Sequence, residues 1–289
     1  MTVAILPKRL YKYLVPERVD AVENAVLRYS PFGAFNDPFE GRPHVTEIAT
    51  DEDLLITMNE VMPDELRRGY ESLPQHVRAR LSYSLFSQLA VHFFEKQKPL
   101  LLQQVQAFTP DFTDRMYKSI DSALGALCLT EAPDNQLMWG HYAASSSGFV
   151  LEFDAYHSHF DERRSESDDF RYLRRVCYRD ERPSGPMSQM NATDWMLVKS
   201  SHWSYEREWR IFRALADAKI VLSSTPYPIH LFSFPRQALT SVILGARISS
   251  QTETSIRQAL DSHSEYKAVQ LKRARVDASR YSLCIDPVI

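Results

Sequence analysis

The sequence predicts an α+β protein whose core is a mixed, largely antiparallel sheet carrying a helical insertion. Three observations point there. Strand-like runs open and close the chain, a helical block lies at about 51–124, and strand and helix never settle into a regular βαβ alternation. The 289 residues are read as a single domain, 1–289, with that block as an insertion or subdomain. With 44% hydrophobic residues, the chain has enough apolar material for a substantial core.

Residues 1–15 read as a short strand around Leu10, Tyr11, Tyr13 and Leu14. Pro16 suits a first helical position, and the apolar spacing of Glu17–Leu27 predicts a short amphipathic helix. A brief strand follows at Leu27–Ser30. Pro31–Gly41, with its prolines, glycines and Asn36-Asp37, is a loop carrying three phenylalanines. Two readings stand for it: an aromatic plug under the core, or a ligand-clasping loop with polar groups beside an aromatic floor.

The helical block is read as Asp51–Met62, Asp64–Gly69, Leu73–Lys96 and Leu100–Leu124, with Pro63, Pro74, Pro99 and Pro110 as breaks. Strand character resumes at Ala126–Thr130. A turn at Glu131–Asn135 leads into a short helix, Gln136–Ala144, and a Ser145–Gly148 turn precedes a strand at Phe149–Asp154. Alternation on that strand sets Val150, Glu152 and Asp154 against Phe149, Leu151 and Phe153. Residues 155–170 read as a polar loop or short helix, Arg171–Arg179 as a strand, and Asp194–His202 as a helix. Strands are expected at Lys219–Leu222, Tyr227–Phe234, Ala238–Leu244, Tyr266–Leu271 and Tyr281–Ile285, with a helix at Ser249–Ser262.

A net charge of −3 excludes a nucleic-acid binder that works by bulk charge. Three scattered cysteines form neither a disulfide framework nor a CxxC knuckle, and Cys128, Cys177 and Cys284 all sit in apolar strand patterns, as small buried hydrophobes do. No signal-type run and no apolar stretch of about 20 residues is present, which predicts a cytoplasmic protein without a membrane span. Neither glycine-rich phosphate motif occurs, and H-E-x-x-H is missing. His157 and His159 lie near Asp154 and Asp161, in a segment read as a solvated loop, so no metal is predicted.

The densest chemistry is in Ser201–Arg213. As a strand, it puts Ser204, Glu206, Glu208, Arg210 and Phe212 on one face, so two carboxylates lie side by side. As a helix, it makes Glu206 and Arg210 an i,i+4 ion pair on a solvated surface. The strand reading is preferred, because the helix expected at 194–202 ends near Ser201. Paired carboxylates raise each other's pKa and call for basic neighbours, and both a catalytic pair and a structural salt-bridge cluster fit that pattern.

Taken together, several motifs carry a resemblance. They are Leu10–Tyr13, Phe35–Glu40, Leu129–Glu131, Leu137–Ala143, Gly148–Phe153, Tyr205–Arg210 and Val242–Ala246. In this order they resemble the bacterial domain-of-unknown-function family 2971, from about residue 10 to about 285. A looser similarity is to ADP-ribosyltransferase-like proteins. Those carry a basic residue or His on the first strand, a Ser, Thr or Tyr in the middle, and a late Glu, often as Glu-x-Glu.

That similarity implies an enzyme that cleaves NAD, its substrate, and passes ADP-ribose to a macromolecular acceptor, nucleic acid or protein. It places the late motif on Glu206 and Glu208 and the middle one on Thr130 or Tyr142, with His141 beside it. Glu208 would stabilise an oxocarbenium-like transition state, and Glu206 would orient or deprotonate the acceptor. Contacts to NAD would fall to Tyr11, Lys12, Tyr13, Phe35, Asn36, Asp37, Trp139 and Arg210. The first strand departs from the pattern, since Tyr11-Lys-Tyr13 holds no Arg or His and leaves Lys12 or Arg9 for phosphate or ribose. Two other functions are carried forward: a non-catalytic binding or regulatory module, and a metal-dependent phosphodiesterase or nuclease using His141, Glu152 and Glu206.

Overall fold

A computed structural model describes residues 5–288. In chain order, the first elements are β1 (Arg9–Leu14), α1 (Asp20–Glu23), β2 (Val26–Tyr29), β3 (His44–Val45), α2 (Asp51–Glu71), α3 (Gln75–Arg78), α4 (Tyr83–Ala107) and α5 (Thr109–Ala123). There follow β4 (Leu124–Thr130), α6 (Gln136–Tyr142), β5 (Phe149–Asp154), β6 (Arg174–Arg175), β7 (Cys177–Arg179), β8 (Ser184–Gly185), α7 (Ala192–Met196) and β9 (Val198–Ser200). The chain ends through β10 (Glu208–Ala214), β11 (Ile220–Leu222), β12 (Ile229–Ser233), β13 (Leu239–Leu244), α8 (Ser250–Asp261), β14 (Gln270–Val276) and β15 (Leu283–Pro287). This is an α+β fold around a mixed, mostly antiparallel sheet. Among the described residues no helix is long and apolar enough to cross a membrane.

Two compact units divide the chain. The first comprises the N-terminal segment through Arg42, Ser119–Arg182, and Thr193 to the C-terminal end; the second comprises Pro43–Lys118 and Pro183–Ala192. The first holds an eight-stranded sheet in the order β15-β14-β13-β5-β1-β4-β10-β6, and a three-stranded one, β11-β12-β2. Alternation sorts the side chains as expected on β5. Phe149, Leu151 and Phe153 join Leu10, Leu127, Leu129, Trp209 and Ile211 in the larger core, and Val150 packs with Tyr13, Met138 and Trp139 on the opposite face.

The large sheet opens between two of its strands. β1 pairs with β5 along its whole length but meets β4 only at Tyr11↔Thr130, while β4 pairs continuously with β10 from Thr130↔Glu208 to Leu124↔Ala214. β1 and β4 therefore part beyond Tyr11, and the Lys12 ammonium donates 2.9 Å to the Cys128 carbonyl across the opening. At the far end of β4 an isolated bridge, Ser30↔Ala126, brings the end of β2 alongside.

In the second unit, α2 and α4 run straight through Pro63 and Pro99, where the sequence predicts breaks. The breaks at Pro74, between α2 and α3, and near Pro110, at the start of α5, fall as expected, and a further one falls around Ser82, which caps α4 by accepting from the Leu85 N–H. Thr50 caps α2 in the same way, with Asp51, Glu52 and Asp53 in its first turn, where the helix dipole favours acids. Each proline removes one ladder hydrogen bond, and packing between the two helices outweighs that loss: Tyr70 stacks edge-on against Tyr83 at 5.5 Å, and Met58, Met62 and Leu66 face Phe86, Ala90 and Phe94.

Other boundaries also move. The helix predicted over Glu17–Leu27 stops at Glu23, since Val26 and Leu27 are taken by β2 pairing with β12. The predicted Arg171–Arg179 strand splits at Val176, because β6 pairs with β10 and β7 with β9. The Tyr266–Leu271 strand gives way to a 3-10 turn at Ser264–Tyr266, and pairing with β13 begins at Gln270. Cys177 and Cys284 are exposed: β15 is an edge strand whose Leu283 and Ile285 turn inward, leaving Cys284 outward. His159 is buried, not solvated, and bonds Glu162 at 3.1 Å. Its burial, with Arg213 next, pulls its pKa down to about 4.

Candidate functional site

The helix predicted over 194–202 ends at Met196. Val198–Ser200 is a strand, Ser201–Glu206 a 3-10 helix, and only from Glu208 does the chain extend. Arg207 joins the two in the left-handed region, at φ 43° and ψ 53°. Glu206 and Glu208 are therefore not neighbours on one strand face. They converge because the left-handed residue folds the 3-10 turn back over the start of β10.

What they converge on is Lys199. Its ammonium lies 2.6 Å from Glu206 Oε2, 3.1 Å from Glu208 Oε2 and 3.3 Å from Glu40 Oε2. Arg210 completes the network, with Nε 2.6 Å from Glu208 Oε1, a contact to Glu40, and Nη1 donating 2.8 Å to the Met196 carbonyl. All five side chains are between 0 and 5% exposed. Three buried carboxylates thus face two buried cations. Burial of an ion costs several kcal/mol unless it is paired, so this network holds its geometry tightly.

The charges shift one another. Burial raises the Glu208 carboxyl, and Lys199 opposes that. Burial lowers the Lys199 ammonium, but Glu208 and Glu206 outweigh it and hold it well above the usual lysine range. Tyr142 donates 2.6 Å to Glu206 Oε1 and accepts 3.2 Å from Asn36 Nδ2. Burial, followed by the Glu206 charge, pushes its phenol far above the ordinary value. The relay runs from Asn36 through Tyr142 to Glu206, Lys199 and Glu208.

This network forms one wall of a cavity of about 400 Å³ where β1 and β4 part. Ten residues singled out in the sequence line it: Tyr11, Lys12, Tyr13, Phe35, Asn36, Thr130, His141, Tyr142, Glu206 and Glu208. Thr130 has spent its hydroxyl, donating to the Glu206 carbonyl and accepting 3.0 Å from the Ala132 N–H. Tyr13 likewise donates 2.7 Å to the Ala132 carbonyl. His141 is exposed, 6.4 Å from the Trp203 ring.

Three other candidates do not line it. Trp139 is fully buried, edge-on to Tyr13 at 5.2 Å, with its indole N–H donating to Pro133. Asp37 is buried in its loop, accepting 2.9 Å from the Phe39 N–H in an Asx turn. Arg210 is fully buried and lies over the Phe35 ring at 5.4 Å, supporting the wall from behind. In the 31–41 loop Phe32 is buried against Phe212, while Phe35 and Asn36 face the cavity. Glu152 lies elsewhere, held by Lys272 at 2.8 Å, Ser241 at 2.6 Å and Arg9 at 3.2 Å.

Sequence reasoning missed Lys199, Arg28, Ser30 and Cys128 as lining residues. A lysine directly after the apolar run Trp195–Val198 is the signal for the first of these, since a lysine is rarely buried unless paired. Cys128 keeps its proton, because burial and the Glu208 charge raise its thiol. Among the described residues no cluster of three or more His, Cys, Asp or Glu is arranged to hold a metal ion.

Residues 138–211 match a family described as protein of unknown function (DUF2971). The chain resembles that family. The matched segment covers Met138, His141, Tyr142, Lys199, Glu206, Glu208 and Arg210, which is the acidic wall and its supports. Tyr11, Lys12, Arg28, Phe35 and Glu40 lie outside it. No curated protein and no solved structure matches the chain.

Proposed function

We propose that the chain is an ADP-ribosyltransferase-like enzyme that cleaves NAD and transfers ADP-ribose to a macromolecular acceptor. The observation that carries the reading is convergence. Lys12 from the first strand, Thr130 and Tyr142 from the middle of the chain, and Glu206 and Glu208 from its later part surround one cavity. At about 400 Å³ the cavity lies within the ~300–1,000 Å³ span of small-molecule sites.

In this reading the C1′–N bond of the nicotinamide riboside breaks, and nicotinamide leaves with the electron pair, neutral. Positive charge grows on the ribose C1′–O4′ unit, where carboxylates stabilise it. Glu206 takes that role. Among the described residues its Oε1 is held only by Tyr142, which is half-buried, whereas both oxygens of Glu208 are engaged by Arg210 and Lys199. The acceptor nucleophile then attacks C1′ and gives its proton to Glu206. Glu208 positions Lys199, and Phe35 and Tyr142 supply ring faces for the nicotinamide.

The saturation of Glu208 favours the second reading, a non-catalytic binding module in which the network is structural. Nicotinamide release from NAD separates the two. Glu206→Gln should lower release by about a hundredfold or more, the usual loss for one charge-stabilising group, with the far-ultraviolet spectrum unchanged. Wild-type protein that releases no nicotinamide with protein and nucleic-acid acceptors would leave the binding module standing.

A further inference from the structure

The cavity has a second charged region, and it is cationic. Arg28 and Ser30 share one face of the β2 edge, two residues apart, and both line the cavity together with Lys12. Among the described residues Arg28 makes no ion pair, and its Nε is buried without a hydrogen-bond partner. Among the same residues the Lys12 ammonium bonds the Cys128 carbonyl alone. Two cations therefore line the same small space, and among the described residues neither is held in an ion pair.

The surroundings make this costly. Burial and then the like charge of Arg18, itself paired with Asp20 at 2.8 Å, lower the pKa of Arg28. Burial lowers that of Lys12 most, Cys128 and Glu208 oppose it, and Arg18 and Arg28 add to the lowering. A half-buried guanidinium with an unused donor, held near like charges, is unfavourable until an anion arrives. Glu206 and Glu208 form no ion pair with either cation among the described residues, being bonded instead to Lys199 and Arg210, although the Glu208 charge does favour the Lys12 ammonium. They also lie at the other end of β4. Ser30 opposes Ala126 and Glu208 opposes Thr130, four residues apart, or about 13 Å at ~3.3 Å per residue. Lys12 sits between, anchored at Cys128.

We propose that Arg28, Lys12 and Ser30 form an anion subsite that takes the phosphate groups of a nucleotide-type ligand. The fork of Arg28 suits phosphate oxygens, Lys12 supplies a point charge, and the Ser30 hydroxyl a further donor. The subsite rests on the transferase reading only for the identity of the ligand's sugar end. The separation of the two charged regions gives the cavity a polarity: phosphate toward β2, reacting ribose toward the glutamates.

Calorimetric titration of the full chain with ADP-ribose, inorganic pyrophosphate and adenosine tests this. ADP-ribose should bind, pyrophosphate more weakly, and adenosine least, with affinity falling as salt rises. Arg28→Gln should weaken ADP-ribose at least tenfold, and Arg28→Lys should retain most of the binding. A melt checks folding: the unliganded Arg28→Gln protein should be no less stable than wild type, because the change removes an unpartnered cation. ADP-ribose should raise the melting temperature of wild type but not of the variant.

Equal ADP-ribose affinity in wild type and Arg28→Gln overturns the subsite, as does a wild type that binds no phosphate compound. Pyrophosphate binding as tightly as ADP-ribose would assign the site to free phosphates and overturn the nucleotide. Binding through Arg28 without nicotinamide release leaves the subsite standing and removes the transferase. Release unimpaired in Arg28→Gln does the reverse.

Discussion

Replacing Lys199 by methionine removes one charge and little volume, and leaves Glu40, Glu206 and Glu208 buried with Arg210 as the remaining cation of the network. The three lost contacts are 2.6, 3.1 and 3.3 Å long. Breaking a buried pair by deleting one partner costs about 3–5 kcal/mol, because the other charge stays desolvated. In a domain of this size each kcal/mol moves the melting temperature by roughly 2–4 °C, so Lys199→Met should melt about 6–20 °C below wild type.

The deficit has a definite pH dependence. Burial already raises Glu208, and loss of the ammonium raises it further. An acid whose folded pKa exceeds its unfolded value binds more protons when folded, so stability falls as pH rises through that window. The deficit should therefore be small below the ordinary glutamate value of 4.5 and grow as pH rises above it. Lys199 in wild type works in the opposite window. Its raised pKa contributes stability that is present below the ordinary 10.5 and is lost as pH climbs through the higher folded value. Calorimetric melts across pH check both. A melting temperature within about 2 °C of wild type at neutral pH, under ~1 kcal/mol by the same conversion, would refute the network as a support of the fold. So would a deficit that does not shrink on acidification.

Two further substitutions test the scaffold. Gly148→Ala would place a Cβ 2.1 Å from the Leu14 carbonyl oxygen, a backbone atom of β1 that cannot step aside. Overpacking of this kind costs up to about 3 kcal/mol, read as a melt lowered by roughly 6–12 °C. Pro63→Ala restores a donor for the Asn59 carbonyl inside α2, a continuous helix. It should stabilise the second unit by about 1–2 kcal/mol, after the greater freedom of the unfolded chain is subtracted. Hydrogen exchange slowing over residues 59–67 would confirm it, and a lower melting temperature would count against it.

The α+β class, the core strands β1, β4, β5, β10 and β13, and the short helix before Ser145–Gly148 were legible because each depends on local pattern. Period-two alternation on Phe149–Asp154 reads directly as two faces of a sheet, and Asn135 caps α6 through its own side chain. The candidate residues of the cavity were legible as well, as aromatic and charged positions in loops and at strand ends. Where the sequence misled, a distant partner outweighed the local preference. Prolines at 63 and 99 sit inside helices because α2 and α4 pack together, and the 194–202 helix stops at Met196 because Val198–Ser200 pairs with Cys177–Arg179.

Ser201–Arg213 shows the division most clearly. By itself the sequence determined that two glutamates, several arginines and aromatic residues lie close along the chain, and that the strand reading holds for Glu208–Ala214. Only the tertiary structure decided that Glu206 belongs to a 3-10 turn, and that Arg207 turns left-handed to bring it beside Glu208. It also decided that Lys199 and Glu40 complete the network, and that, among the described residues, the Arg28 Nε on the cavity wall has no hydrogen-bond partner. Charge pairing in a buried space is set by which segments meet, and strand order, here a sheet that opens between β1 and β4, is a long-range property that no local pattern encodes.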